Sequence, residues 1–163
     1  MKREQSLERL DVAWQDFVRA HAGLSEAEYL APGVTGNWSV RDILAHVTTW
    51  EEEALKHLPS ILRGETPPRY STTHGGIDAF NAKTTEAKRH LSLAQVLEEM
   101  NEVHDRLVRY LESVTESQFQ GSRFRKRLRL DTYGHYPKHT AAIRRWREAG
   151  QPGPEPKRFT ASH

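Results

Sequence analysis

The chain has 163 residues, 36 % of them hydrophobic and 28 % charged, with 24 Lys and Arg against 22 Asp and Glu. That length suits one domain with a single real core, while a net charge of +2 is too small to argue for nucleic acid through bulk electrostatics. No apolar run approaches the roughly 18 residues needed to span a bilayer, and the absence of cysteine removes disulfides, thiolate chemistry and zinc-thiolate sites.

The opening segment, MKREQSLERL, lacks the apolar stretch of a secretory signal, so a cytoplasmic location is the default expectation. Leu7, Leu10, Trp14, Phe17 and His21 then recur every three or four residues, which predicts a first helix over about 3 to 22, ended by Gly23. At Ser39 and Asp42 a hydroxyl and an acid three residues apart form a helix start: the serine can accept from an orphan N–H, and the acid answers the helix dipole. A second helix follows to about Arg63, with Ile43, Leu44, Val47, Ala54, Leu55, Leu58 and Leu62 on one broad face and Pro59 kinking its end.

Residues 64 to 76, GETPPRYSTTHGG, read as a loop because turn formers dominate and Pro67-Pro68 cannot sit inside a helix. Ile77, Phe80 and Thr84 predict a short accessory helix before Arg89. Ser92 and Gln95 repeat the capping pattern, and the near-heptad stripe Val96, Met100, Val103, Leu107, Tyr110 and Val114 predicts a third long helix that needs a bundle partner. After Thr115 the segment ESQFQGSRFRKRLRL reads as a polar, basic connection, and the last helix is expected from about Asp131 to Ala149, closed by Gly150. The sum is an all-α, antiparallel four-helix bundle over residues 1 to 150 with one long connection, followed by a Pro-rich, mobile tail over 151 to 163.

His135 and His139 stand four apart, so on one helix both rings leave the same face and can chelate one ion. A chain with nine histidines shows such a pair by chance, so a third ligand must come from elsewhere. His46, mid-helix beside Ile43, Val47 and Trp50, is the first candidate; its bland alternative is a core histidine bonded to a backbone group. His104 ranks below it and reads as core or helix boundary. Three imidazoles would leave coordination positions open for water or substrate, as in a catalytic rather than a structural site, and nitrogen-only ligation suits zinc, nickel, copper or iron. Glu51, Asp131, Tyr133 and Tyr136 are candidates to orient the rings or move protons, each with a solvated or capping role as its alternative. Pro137 would leave the Tyr133 carbonyl without a donor in a helix running from Asp131, so either that helix kinks or it begins near Gly134.

W-S-V-R-D-I-L-A-H-V-T-T-W-E at residues 38 to 51 and D-T-Y-G-H-Y-P-K-H at 131 to 139 together resemble the DinB superfamily, and within it the DfsB and ClbS-like (colibactin self-protection) branch. The resemblance runs from the first helix to Trp146 and includes I-D-A-F-N at 77 to 81. It implies a four-helix bundle, often a homodimer, with a histidine triad matching His46, His135 and His139. Metal-binding members of the superfamily include thiol-dependent transferases and hydrolases, and ClbS-like members resemble hydrolases acting on a strained electrophilic ring. Activity does not transfer with a fold.

The leading functional expectation is a metal-dependent hydrolase with a protective role, its ion (zinc, nickel or iron) acting on a small electrophilic substrate. The enzyme alternative is an S-transferase using an external low-molecular-weight thiol, since the chain has none of its own. A non-enzymatic alternative is a protein that sequesters a small molecule between the Trp38, Trp50 and Trp146 regions. The run Arg123-Phe124-Arg125-Lys126-Arg127-Leu128-Arg129 raises nucleic acid as a third class, against the simpler reading of a solvated face.

Overall fold

A computed structural model describes residues 2 to 150, and the Pro-rich tail expected over 151 to 163 lies outside the described residues. The helices are α1 (Arg3–His21), α2 (Glu26–Leu30), α3 (Val40–Leu62), α4 (Tyr70–Thr73), α5 (Ile77–Ala87), α6 (Leu93–Ser113), α7 (Glu116–Phe119), α8 (Ser122–Asp131) and α9 (Tyr136–Glu148). Among the described residues there is no β-strand beyond an isolated bridge between Thr35 and Trp38. The protein is an all-α bundle.

Local chemistry sets most of the helix starts. The Ser39 hydroxyl accepts from the Asp42 N–H at 3.1 Å while the Ser39 N–H donates to Asp42 Oδ2 at 3.0 Å, so two orphan donors at the head of α3 are satisfied. Ser92 and Gln95 do the same for α6, at 3.1 and 2.8 Å. Pro59 lies inside α3 as expected, one turn from its end.

The apolar stripes then assemble the core. α3 is the central element: it packs against α6, α8, α5 and α2, while α9 packs against α1. Leu10, Phe17, Ile43, Leu44, Leu58, Leu107, Leu111 and Ile143 are all fully enclosed. Burying side chains of this size contributes roughly 1.5–3 kcal/mol each before conformational entropy is charged against it.

Two segments depart from the sequence reading. The expected loop over 64 to 76 contains the single turn α4, which carries Tyr70 into a ring cluster with Trp50 and Phe80, at centroid separations of 5.2 and 5.1 Å. The expected basic connection is mostly helix: in α8 Phe124 and Leu128, four residues apart, are buried, so the cations flank a packed stripe. Arg123 donates to the Glu65 carbonyl at 2.8 Å and Arg127 to Asp131 at 2.6 Å, committing two of the five cations inside the molecule. The last helix begins at Tyr136, the later of the two starts the sequence allowed, with Pro137 in its first turn, where its missing N–H has no intrahelical partner to lose.

Candidate metal centre

Between α8 and α9 the chain makes a tight turn over residues 132 to 135. The Arg129 carbonyl accepts from the Gly134 N–H at 2.8 Å, and the Thr132 carbonyl accepts from the N–H groups of His135 and Tyr136 at 2.7 and 2.9 Å. A Cβ on residue 134 would lie 2.7 Å from the Arg129 carbonyl oxygen, so only glycine fits that approach. The turn places His135 at the N-cap of α9 rather than within the helix, which corrects the expectation that His135 and His139 stand on one continuous helix.

They converge nonetheless. His135 Nε2 lies 3.0 Å from His139 Nε2 and 3.1 Å from His46 Nε2, and one nitrogen from each of the three rings falls within 4.8 Å of the others. The rings stand nearly perpendicular, at 72° for His46 and His135 and 89° for His135 and His139. Burial, followed by the Lys138 charge, lowers the His135 pKa to about 4. Burial, then the other two imidazoles, also pushes His139 well below the ordinary histidine value. Both rings are therefore neutral near pH 7 and carry a lone pair, which is the form that ligates metal.

Hydrogen bonding among the three cannot satisfy this geometry. His135 Nε2 faces two neighbours, and as a neutral ring nitrogen it has either one N–H or one lone pair to offer them. A divalent ion accepts all three lone pairs at once. Metal–nitrogen bonds of about 2.0–2.1 Å with tetrahedral angles put ligand nitrogens roughly 3.3 Å apart, close to the two separations of His135 from His139 and His46. The donor set therefore fits a three-histidine site for a transition metal.

Around the triad, the Trp38 ring lies 4.8 Å from that of His46, held by backbone bonds from Val34 N–H to the Trp38 carbonyl and from Trp38 N–H to the Thr35 carbonyl, both 2.8 Å. Trp50 lies 6.2 Å from His135 and donates its indole N–H to Asn81 Oδ1 at 2.9 Å. His46, His135, Trp50 and Tyr70 line a cavity of about 270 Å³, and His139 faces a second one of about 420 Å³ on its other side. Trp146 belongs to the core instead, at 5 % exposure. A larger open groove of about 710 Å³ along α1 takes in Tyr133 and Pro137 but none of the triad.

The residues expected to support the histidines are otherwise engaged. Glu51 is completely buried and accepts on one carboxylate oxygen from Tyr136 Oη, in a short contact, and from His104 at 2.7 Å. His104, the rival ligand, stacks on Trp14 with a centroid separation of 3.7 Å and a 6° interplanar angle. Burial pushes the Glu51 carboxyl above its ordinary range against the pull of His104, and holds the Tyr136 phenol well above its own. The cluster anchors Tyr136 and, through the adjacent residue, the turn that presents His135. Asp131 pairs with Arg127, and burial raises its carboxyl to about 7 against that partner's pull. Sequence reasoning missed Tyr70 as a wall of the site, because nothing in the loop-like segment around it signals where the ring is carried.

An all-α bundle carrying three converging imidazoles beside a cavity defines the class of protein. The chain belongs to the DinB superfamily, whose family model matches residues 9–150. Among solved structures it is similar to the sibling lethal factor precursor DfsB, with a TM-score of 0.78 at 11 % identity over 93 % of this chain and 98 % of that one. It is also similar to an uncharacterised protein from Escherichia coli UTI89, with a TM-score of 0.75 at 14 % identity over 91 % of this chain and 94 % of that one. At such identities the likeness is one of fold. No curated protein matches the chain in sequence.

Proposed function

We propose that His46, His135 and His139 hold one divalent transition metal (zinc, nickel or iron) and that the protein is a metal-dependent enzyme, a hydrolase of small electrophilic molecules with a protective role. The observation that carries this reading is the meeting of three imidazole nitrogens at the wall of a cavity. A divalent ion held there supplies Lewis acidity and lowers the pKa of water. The chain's own residues do the rest: His135 and His139 remain unprotonated because they are buried, and Gly134 and Tyr136 fix the turn that aims His135. Trp50 and Tyr70 form an aromatic wall on which an organic substrate can rest.

The test is elemental analysis of tag-free protein, wild type beside His46→Ala and His139→Ala, followed by turnover of electrophiles such as epoxides and activated esters. About one equivalent of metal in wild type, lost in both variants, together with thiol-independent turnover, is the expected result. Absence of metal after reconstitution would overturn the site. Turnover only in the presence of an added low-molecular-weight thiol would replace hydrolysis by thiol transfer, the thiol being external because the chain contains no cysteine. Product limited to one equivalent per chain would replace catalysis by sequestration.

A further inference from the structure

We infer that the cavity beside His46 and His135 takes a small organic anion with an apolar body, the body resting against Ile77, Leu130 and Trp50 and the negative group pairing with Lys138. As a statement about the substrate, this rests on the reading of the cavity as the reaction site.

Charge selects the sign of the ligand. Three ionic side chains line the cavity: Arg127, Asp131 and Lys138. Arg127 and Asp131 are committed to each other and to the wall, with Arg127 Nε donating to Asp131 Oδ2 at 2.6 Å and a second guanidinium nitrogen donating to the Tyr70 hydroxyl at 2.5 Å. Glu53 lies behind Tyr70, outside the lining, and is occupied by that phenol at 2.9 Å and by His57 at 3.4 Å. Lys138 makes no ion pair among the described residues and is exposed at the mouth. Its charge also bears on both His135 and His139, which places it close to the imidazoles. A donor set of three neutral rings gives a bound cation no compensating carboxylate, so a loaded site is still more positive. An anion is the complementary ligand.

Shape and polarity select the body. Four large hydrophobic side chains stand exposed among the described residues, and two of them, Ile77 at 54 % and Leu130 at 55 %, line this one cavity from different helices. Apolar side chains left in water around a concave site mark a surface that a ligand covers. Trp50 supplies the wall between them, and Asn81, whose carbonyl oxygen is taken by the Trp50 indole, holds that ring in place. A volume of about 270 Å³ sits at the small end of ligand cavities and suits a one- or two-ring body. Lys138 also borders the second cavity beside His139, so it can follow a negative group on either side of the triad.

Isothermal titration calorimetry on chelator-treated full-length protein tests this with 2-naphthoate, 2-naphthyl phosphate and the uncharged methyl 2-naphthoate. The anions should bind about tenfold more tightly than the ester. Lys138→Ala, a surface change that leaves the core intact, should bring the anions down to the level of the ester without moving the ester itself. Leu130→Asp should weaken all three. Comparison of the two anions below pH 6, where both carry about one negative charge, shows whether the site prefers carboxylate or phosphate. Equal affinity of ester and anions, unchanged anion affinity in Lys138→Ala, or no binding of any of the three would overturn the inference. Zinc uptake measured in parallel separates the two readings: no uptake with Lys138-dependent naphthoate binding removes the metal and upholds the anion pocket, whereas uptake without naphthoate binding does the reverse.

Discussion

His46 and Glu51 stand five residues apart on α3, both buried, and their polar atoms meet opposite surroundings. Glu51 reaches into the core, where Tyr136 and His104 both donate to it and Trp14 stacks against the imidazole. His46 reaches toward the α8–α9 turn, where its Nε2 meets that of His135, which in turn meets that of His139. Donors brought to an acceptor make a buried polar cluster a structural device. Acceptors brought to one another leave room for a cation. The two clusters therefore have different work to do, although both draw on α3 and on the start of α9.

Substitutions should separate them. The largest effect expected is loss of metal: His46→Ala and His139→Ala should each lower the content from about one equivalent to below about a tenth, with helical circular dichroism retained, since a two-nitrogen remnant holds an ion poorly. Glu51→Ala should do the converse, costing roughly 2–5 kcal/mol in urea unfolding because His104 and the Tyr136 hydroxyl both lose their buried hydrogen-bond partner. If Glu51→Ala left stability intact but removed the metal, the comparison would be broken.

Gly134→Ala should touch both clusters, because the 2.7 Å approach to the Arg129 carbonyl forces the turn to shift; roughly 1–3 kcal/mol of stability and a measurable part of the metal affinity should go together. Acid should act on the triad. His135 titrates near 4 in the folded chain against about 6.5 unfolded, so between those values the unfolded chain binds the extra proton and the folded one does not. The part of the metal-free protein's stability that His135 contributes should thus fall by roughly 2–3 kcal/mol as pH falls from 6.5 to 4, read as the difference between wild type and His135→Ala in urea midpoints taken across the range. His21, which burial holds at about 4, and His139 add losses of the same sign, while Asp131, raised to about 7, adds a gain of the opposite sign as pH falls; His135→Ala leaves all three residues in place. The smallest effect belongs to Lys88, whose ammonium bridges Glu52 and Glu99 at 2.6 and 2.7 Å near the surface: Lys88→Met should cost at most about 1 kcal/mol and leave metal content unchanged.

Local signals made much of the fold readable. The capping residues at Ser39 and Ser92, and the apolar stripes that follow them, act within a few residues of themselves and identified α3 and α6 almost to their ends. α8 was not readable, because only Phe124 and Leu128 of its ten residues are buried apolar side chains and five are cations; packing against α3 gives it its place. Tyr70 was hidden for a similar reason. A single turn between Pro68 and Gly75 has no periodicity to detect, and only the contacts with Trp50 and Phe80 show where its ring goes.

At the candidate site, the sequence by itself determined the residue types: nine histidines, no cysteine, a glycine and a proline bracketing His135, and a four-residue step to His139. Tertiary structure decided which histidines meet. His46 and His104 both lie on apolar helical faces and are alike by pattern, yet one points to the turn at residues 132 to 135 and the other to Glu51 and Trp14. Orientation about a helix axis is set by what the neighbouring helices offer to bury, and those neighbours lie tens of residues away along the chain.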